Sequence, residues 1–348
     1  MNARAPALTG LPATEGPFVI AEAGVNHNGD AALAMRMVDA ARDAGAHAIK
    51  FQTFVPELLA SPVAPRAAYQ RGDGEDGGQL DMVRRLALGR RDFEALAAHC
   101  ARRGIVFLST PFDVESARFL CDLGVPVLKI PSGEITNPAF LRATAGFGRP
   151  LILSTGMADL GEVEAAVEAV ESAGCGDYAL LHCTSNYPAS ACDANLRAIP
   201  TLARTFGCPV GYSDHTLGID VAIAATALGA SIIEKHFTLD RNLSGPDHRA
   251  SLEPGELKAM AEAVARTASA LGDGVKHPAR SEAPIAAVAR RSLAAARAMP
   301  AGARLEDGDL LALRPGTGIA PFEASRVVGR RLRVAVAARM LIDWSMLE

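Results

Sequence analysis

An alternation of short apolar runs with alanine-rich segments dominates residues 18–271, and this feature restricts the fold most. The intervening segments have helix signals, such as the D-x-x-E pair Asp159 and Glu162 at a helix start and Gly45 at a helix end. Eight strand–helix repeats over about 250 residues predict a (β/α)8 TIM barrel. The runs that read as buried parallel strands are FVIAEAG, AHAIKFQTF, IVFLSTP, VPVLKIPS, PLILSTG, YALLHCTS, PVGYSDH and SIIEKHF.

An open doubly wound sheet is the alternative, although eight strands would be many for it. The first strand–helix turn, AEAGVNHNGD, has no G-x-G-x-x-G pattern, which weakens a dinucleotide-binding interpretation. Residues 66–85, RAAYQRGDGEDGGQLDMVRR, interrupt the repeat as a charged, glycine-rich insertion. At the top of a barrel such a segment is more often functional or mobile than structural.

The composition changes after GDGVKHPARSEAP, residues 272–284, where short strand-like pieces with turn signals replace the repeat. We therefore predict a loose N-terminal arm over 1–16, a barrel over 17–275, a linker over 276–286 and a small β-rich domain over 287–348. A domain of that size is near the lower limit for independent stability. We expect it to dock on the barrel or on a partner subunit.

Charge and cysteine usage exclude several classes of protein. A net charge of -4 offers no broad basic surface for nucleic acid. The 6 cysteines form no C-x-x-C pair and predict free thiols in a reducing cytoplasm. No signal peptide is recognisable, and no apolar run reaches the roughly 18 residues needed to span a membrane.

Polar side chains follow nearly every predicted strand, at the ends that share one face of a barrel. Strand alternation places Lys50 and Gln52 on one side with Phe51 opposite, and it directs Glu234 and His236 away from Lys235. This set indicates a site for a phosphorylated or carboxylated anion. Its members are Glu22, Asn26, His27, Lys50, Gln52, Thr53, Ser109, Thr110, Lys129, Ser132, Glu134, Ser154, Thr155, His182, Thr184, Ser185, Tyr187, Ser213, Asp214, His215, Glu234, Lys235, His236, Asp247 and His248.

Two histidines end the seventh and eighth runs, His215 in GYSDHTLG and His236 in IIEKHFTLD. Imidazoles at the ends of adjacent strands can bind one divalent ion, with carboxylates or substrate oxygens completing its ligands. Ordinary packing of two hydrogen-bonded histidines explains the same spacing. The residues alone leave both interpretations open.

The lysines also allow more than one interpretation. Lys50, Lys129 and Lys235 are candidates for a Schiff base or for neutralising a nearby carboxylate, and Lys50 and Lys129 are also candidates for ammonium contacts with phosphate. Glu134, after KIPSG, is a candidate base, a water-positioning group or a plain loop carboxylate. Cys183 has no adjacent base and is interpreted as a packing residue.

Together these segments resemble a known family. IAEAGVNHNGD, AIKFQTF, LSTPFD, KIPSGEITN, LILSTGMA, LLHCTSNYPA, GYSDHTLG and EKHFTLDRNLSGPDH are similar to the sialic acid synthases, which are phosphoenolpyruvate-dependent nonulosonate synthases. The tail RRSLAAARAMPAGARLEDGDLLALRPGTGI resembles the antifreeze-like (SAF) domain that ends members of that family. The resemblance extends from about residue 17 to residue 348, with eight segments in the family's order.

The resemblance implies a transferase that condenses phosphoenolpyruvate with an N-acetylated hexose and works as a homodimer, with one SAF domain extending over the partner's barrel. It implies a divalent metal, Mn²⁺ or Mg²⁺, on His215 and His236, and proton handling by Glu134. Lys50 and Lys129 would offset substrate charge, and Arg314 would come from the partner subunit to the N-acetyl group. The remaining implied substrate contacts are Glu22, Gln52, Thr110, Ser132, Ser154, Ser185, Tyr187, Ser213 and Asp247.

Ser185 leaves the identity of the sugar open. It stands where many N-acetylneuraminate synthases carry asparagine, and C-T-S-x-Y-P-A also occurs in relatives that make legionaminic or pseudaminic acid. We take N-acetylneuraminate synthesis as the main expectation and N,N'-diacetyllegionaminate or pseudaminate synthesis as the alternative. A Schiff-base lyase and a non-catalytic binding protein are the hypotheses outside this reaction class.

Overall fold

The computed structural model describes residues 8–67, 70 and 77–348. The chain divides into two compact units, one ending at Gly272 and the other running Asp273–Glu348. Residues 1–7 of the predicted arm and residues 68, 69 and 71–76 of the predicted insertion lie outside the described residues.

The first unit alternates strands with helices from its first strand onward. Its strands are β1 (Phe18–Gly24), β2 (Ala48–Thr53), β3 (Val106–Pro111), β4 (Leu128–Ile130), β5 (Leu151–Ser154), β6 (Tyr178–Cys183), β7 (Val210–Asp214) and β8 (Ile232–His236). Its α-helices are α1 (Ala31–Asp43), α2 (Pro56–Leu59), α3 (Gln79–Leu86), α4 (Arg90–Arg103), α5 (Val114–Leu123), α6 (Pro138–Ala145), α7 (Leu160–Ser172), α8 (Ala198–Phe206), α9 (Asp220–Ala227) and α10 (Pro254–Ala270).

The eight strands form one parallel sheet in the order β3-β2-β1-β8-β7-β6-β5-β4. The first strand pairs with the last, with Glu22 level with His236, so the sheet curls into a barrel. Strands β3 and β4 lie side by side and leave the barrel nearly closed. The predicted TIM barrel is confirmed, and the open doubly wound sheet is excluded by the β1–β8 pairing.

Strand alternation distributes the side chains as predicted. Phe51 points into the layer between strands and helices, where its ring lies 6.0 Å from that of Phe107. Its neighbours Lys50 and Gln52 point the other way and line a cavity. The β1–β2 register carries a bulge between Glu22 and Gly24, at the end of the strand that faces this cavity.

The N-terminal end of the barrel is closed by residues that precede β1. Leu8 and Leu11 are 2% and 5% exposed and pack in one apolar cluster with strand residues such as Phe18 and Ile152. The Thr9 amide also donates to the Asp177 carboxylate over 3.1 Å. The prediction of a loose arm is therefore wrong for residues 8–11, because their two leucines pack against the interior of the barrel at its N-terminal end.

Replacing Leu8 by alanine is expected to lower the free energy of unfolding of the barrel by about 2–4 kcal/mol, the usual cost of truncating a buried leucine. Urea denaturation followed by circular dichroism measures the change. Leu58→Ala is the matched control, because Leu58 is 60% exposed and should shift the midpoint little. Equal midpoints for Leu8→Ala and the parent would mean that the N-terminal segment does not stabilise the barrel.

The helix signals in the sequence are found in the structure. Helix α7 begins with the Asp159–Glu162 capping box, in which each carboxylate accepts a hydrogen bond from the backbone amide of the other residue over 2.9 Å. Gly45, just beyond α1, has a φ of 87°, a conformation that favours glycine.

Part of the segment predicted as an insertion is a regular amphipathic helix. Helix α3 buries Leu80, Met82, Val83 and Leu86 against α2 and the loop after β1. These apolar positions recur at helical spacing, so a packed face replaces the charged loop expected over residues 79–85.

The second unit contains helix α11 (Ala283–Ala289), strands β9 (Ser292–Ala295) and β10 (Leu310–Leu313), which pair antiparallel, and helix α12 (Ala324–Val327). Its own apolar core includes Leu293, Met299, Leu332, Val336 and Ile342. Across both units, none of the helices in the described part of the chain combines the length and hydropathy needed to cross a bilayer.

Candidate active site

A cavity of about 500 Å³ opens at the carboxyl ends of the barrel strands. Of the site residues that the family resemblance implies, the structure places all except Glu134 and Arg314 on its wall. Those that line it are Glu22, Lys50, Gln52, Thr110, Lys129, Ser132, Ser154, Ser185, Tyr187, Ser213, His215, His236 and Asp247. The barrel geometry thus brings together side chains that are up to 225 residues apart in sequence.

Lys50 of β2 lies buried between acceptors from two neighbouring strands. Its Nζ is 2.5 Å from Glu22 Oε2 and donates to Thr110 Oγ1 over 2.8 Å. Burial raises the pKa of Glu22 to about 7, although the Lys50 ammonium opposes that rise. Near neutral pH, therefore, the Glu22 carboxyl is only partly ionised, and part of the Lys50 charge is available to an anion in the cavity.

Lys129 of β4 occupies an equivalent position on the other side of the cavity floor. It donates to Ser154 Oγ over 2.6 Å and lies 3.6 Å from Glu234 Oε1. Burial lowers the pKa of this ammonium group, and the Glu234 carboxylate opposes that shift. The two lysines therefore form a cationic floor at the carboxyl ends of β2 and β4.

Glu234 is a central member of the site for which the sequence analysis assigned no role. Its Oε2 lies 3.8 Å from Lys50 Nζ, and its Oε1 accepts from Ser213 Oγ over 3.1 Å. Burial favours its neutral form, but the ammonium groups of Lys129 and Lys50 outweigh burial and hold its pKa below the usual range. Its alternation with His236 places its side chain on the same side of β8 as His236. Which ammonium groups it contacts depends on how the barrel closes.

Gly156 makes room for the hydroxyl groups beside Lys129. Its amide donates to Ser132 Oγ over 3.0 Å. A Cβ at this position would overlap Ser185 Oγ and would lie only 2.8 Å from Cys183 Sγ and 2.9 Å from Ser132 Oγ. Cys183, predicted as a packing residue, lines the cavity and lies 3.1 Å from Ser132 Oγ.

The two predicted metal-binding histidines, His215 and His236, lie next to each other on the wall of the cavity. Their ring centroids are 5.3 Å apart, and the Tyr187 ring lies 4.2 Å from His215 and 5.4 Å from His236. Burial lowers the pKa of both imidazoles, so both are neutral at physiological pH. The pair is therefore in the protonation state that metal coordination requires.

The two histidines fit a divalent cation as an open site. His215 Nδ1 lies 2.7 Å from the Thr184 carbonyl and must donate to it, which leaves Nε2 unprotonated. His236 Nδ1 is buried without a hydrogen-bond partner and lies 3.8 Å from Asp247 Oδ2. Within the described residues no group of three or more His, Cys, Asp or Glu side chains is arranged to hold an ion. Further ligands would have to come from water or substrate.

The outward-facing neighbours of these histidines form a separate buried network. Lys235 Nζ donates to Asp214 Oδ2 over 2.7 Å and to the Thr216 carbonyl over 2.5 Å. Asp214 Oδ1 in turn accepts from the amide and hydroxyl of Thr216. These contacts fix the backbone on both sides of His215. Lys235 is thus an ion-pair residue behind the cavity, as its alternation with His236 predicted.

Two predicted site residues lie elsewhere. Glu134 ends a 3₁₀ turn beside the cavity, and its carboxylate accepts from Asn137 Nδ2 over 2.7 Å. Arg314 is exposed directly after β10 in the second unit. Their proposed roles stay predictions.

The comparisons with known proteins agree with this geometry. The NeuB family matches residues 37–276, and the SAF domain matches residues 290–348. An N,N'-diacetyllegionaminic acid synthase of Legionella pneumophila is 48% identical over 95% of this chain and 94% of its own. One of Campylobacter jejuni is 45% identical over 90% and 95% of the two chains.

A solved structure leads to the same family. The N-acetylneuraminic acid (sialic acid) synthetase of Leptospira borgpetersenii, in complex with citrate, is 40% identical with a TM-score of 0.69, over 78% of this chain and 91% of that one. With more than half of the chain matched and both units accounted for, the protein belongs to the NeuB family and ends in a SAF domain.

Proposed function

We propose that this protein condenses phosphoenolpyruvate with an N-acetylated hexose to form a nonulosonic acid and phosphate. The observation that carries the proposal is the shared cavity, in which two buried lysines and two neutral histidines face the same space. The lysines suit a substrate with phosphate and carboxylate groups. The histidines suit a divalent ion beside a carbonyl oxygen.

The comparisons support N,N'-diacetyllegionaminic acid as the product better than the N-acetylneuraminate first expected. The relatives at 48% and 45% identity bear the diacetyllegionaminic name, whereas the structure named for N-acetylneuraminic acid is 40% identical. The corresponding substrate is 2,4-diacetamido-2,4,6-trideoxymannose in its open-chain form.

The cationic floor is where phosphoenolpyruvate is expected to bind. Lys50 and Lys129 offset its charges in a water-poor pocket, where such contacts are stronger than at the surface. Ser154 and Ser185 can donate hydroxyl hydrogens to the same anion, and Ser213 can do so only by releasing Glu234 Oε1, which accepts its hydroxyl hydrogen. Glu234 lies 3.8 Å from Lys50 Nζ and 3.6 Å from Lys129 Nζ, and so helps to orient both ammonium groups before the substrate arrives.

The reaction follows from that placement. The methylene carbon of phosphoenolpyruvate forms a bond to the aldehyde carbon of the sugar, and the aldehyde oxygen gains a proton. Water adds to the resulting cationic C2 and loses a proton, and the C2–O bond to phosphate then breaks. Phosphoenolpyruvate, sugar and water thus yield the 2-keto acid and inorganic phosphate.

His215 and His236 would hold the divalent ion, Mn²⁺ or Mg²⁺, which when bound polarises the aldehyde as a Lewis acid. Asp247, beside His236, can accept hydrogen bonds from sugar hydroxyls. Glu134 is the residue that we expect to carry the proton, and for this its carboxylate has to leave Asn137. The ammonium groups serve as charges in this scheme, so no lysine forms a Schiff base.

The assembly and location belong to the same proposal. Arg314, exposed after β10, would contact the sugar's N-acetyl group from the partner subunit of a homodimer. The free state of the cysteines suits the reducing cytoplasm, where we place the reaction.

Phosphate release tests the proposed function. The protein is supplied with phosphoenolpyruvate, Mn²⁺ and either 2,4-diacetamido-2,4,6-trideoxymannose or N-acetylmannosamine. We expect release that depends on the sugar and the metal and is faster with the diacetamido sugar. Faster release with N-acetylmannosamine would restore the N-acetylneuraminate assignment. Trapping of a pyruvate adduct by borohydride would favour the lyase instead.

Gly156→Ala is expected to raise the KM for phosphoenolpyruvate by roughly tenfold or more, because the new methyl group displaces Ser132 and Ser185 from the anion pocket. The KM for the sugar should change much less. Gly176→Ala is the control, since a Cβ there has no atom within 4 Å and the residue does not line the cavity. Equal KM values for the two alanine variants would contradict this placement of the anion.

A further inference from the structure

The cavity has two chemically different sides. The side at the strand ends carries the lysines, hydroxyls and histidines described above. The other side is apolar and belongs to one packed cluster around α2, α3 and the loop after β1. We call it the α3 wall, formed by Val25, Phe54, Leu59, Met82, Val83 and Leu86, all of which line the cavity.

The α3 wall is held in place before any ligand binds. Arg84 of α3 donates to Glu57 of α2 over 2.9 Å, which ties the two helices together. The Phe54 ring meets Phe112 edge-on at 6.2 Å, and Phe112 also lines the cavity. Gln70 and Gln79 are further polar residues of the cavity that α3 and the segment before it contribute.

The position of the reacting carbon decides which part of a sugar meets this wall. In the proposed function, the aldehyde carbon lies at the strand ends, between the histidines and the lysines. The rest of an open-chain hexose must then extend away from the strand ends, toward the apolar side of the same cavity. Its distal carbons are the ones that the α3 wall can contact.

The candidate sugars differ at those distal carbons. N-acetylmannosamine carries hydroxyl groups at C4 and C6. The diacetamido-trideoxy sugar carries an acetamido methyl at C4 and a methyl group as C6. A hydroxyl buried against an apolar surface loses its hydrogen bonds to water, whereas a methyl group gains from burial.

We propose that the α3 wall, through Leu59, Met82 and Val83, selects a sugar with methyl groups at its distal end over one with hydroxyls. This inference rests on the proposed function and names the part of the site that decides its substrate. Discrimination by one methyl group in an apolar pocket is typically on the order of 10- to 200-fold. Two such groups meeting the wall therefore suffice for strong selection.

The test compares kcat/KM for the two sugars in the parent and in the variants Met82→Gln and Leu59→Gln. Glutamine is close in size to both side chains and adds an amide that can bind hydroxyls. Leu58→Gln is the matched control, because Leu58 adjoins Leu59 in the same helix but is 60% exposed and does not line the cavity. Thermal unfolding of each variant verifies folding.

We expect the parent to prefer the diacetamido sugar, and each wall variant to lower that preference tenfold or more through the KM for sugar. The KM for phosphoenolpyruvate and the Leu58→Gln preference should stay unchanged. An unaltered preference in both folded wall variants would overturn this inference alone. A parent that prefers N-acetylmannosamine would overturn it together with the diacetyllegionaminate assignment, but not the condensation reaction. A parent that turns over neither sugar would overturn the proposed function and this inference with it.

Discussion

Replacing Lys129 by methionine is expected to lower kcat/KM for phosphoenolpyruvate by about 10²- to 10³-fold. The ammonium group lies 2.6 Å from Ser154 Oγ and 3.6 Å from Glu234 Oε1 on the cavity floor. Its removal takes one positive charge from the anion site and leaves the Glu234 carboxylate less well compensated, so that it repels the substrate. Removing one partner of a buried ion pair also typically lowers the free energy of unfolding by about 3–5 kcal/mol, so folding has to be measured beside activity.

Steady-state kinetics with phosphoenolpyruvate as the varied substrate measure this effect, and urea denaturation reports folding separately. Lys258→Met is the control, because Lys258 is an exposed residue of α10 and should leave both measurements unchanged. A folded Lys129→Met variant with parental kcat/KM would mean that the substrate anion binds elsewhere.

His236→Ala is expected to abolish binding of Mn²⁺ and to lower turnover by on the order of 10³-fold, because the site loses one of its two imidazole ligands. The structure supports this through the buried Nδ1 of His236, which has no hydrogen-bond partner. Electron paramagnetic resonance of free Mn²⁺ measures binding without any assay of activity. Treatment with EDTA should silence the parent to the same extent.

His182→Ala is the matched control for that experiment. His182 is the next-to-last residue of β6, but its Nε2 lies 2.8 Å from the Ala194 carbonyl and its ring packs beside Tyr212, outside the cavity wall. Undiminished Mn²⁺ binding by His236→Ala would assign the histidine pair to packing, the other interpretation that the sequence allows.

The barrel and much of the site were predictable because buried parallel strands leave strong local signals. Apolar runs of the right length marked all eight strands, and the period of two assigned Lys50 to the cavity and Phe51 to the core. The same rule assigned His236 to the cavity and Lys235 to the opposite side of β8. These predictions needed only the direction of each strand.

Other features depend on which strands become neighbours, and that information is not local. The role of Glu234 follows from the lysines of β2 and β4, which meet it only after the barrel closes. Leu8 and Leu11 become core residues only because the N-terminal end of the closed barrel leaves an apolar space that they fill.

Helix α3 was missed for a different reason. The glycines and charged residues before Gln79 predicted a loop, although the apolar residues of α3 recur at helical spacing in the sequence. Glu134 was assigned from its segment alone, and the orientation of its side chain toward Asn137 has no signature in the sequence.

The mass spectrum of the product formed from phosphoenolpyruvate and 2,4-diacetamido-2,4,6-trideoxymannose tests the proposed condensation. We expect one new acid whose mass equals that of both substrates plus water minus phosphoric acid, formed in equal amount with inorganic phosphate. Formation should require a divalent metal. Recovery of both substrates unchanged with this sugar, and equally with N-acetylmannosamine, in the presence of Mn²⁺ would contradict the account.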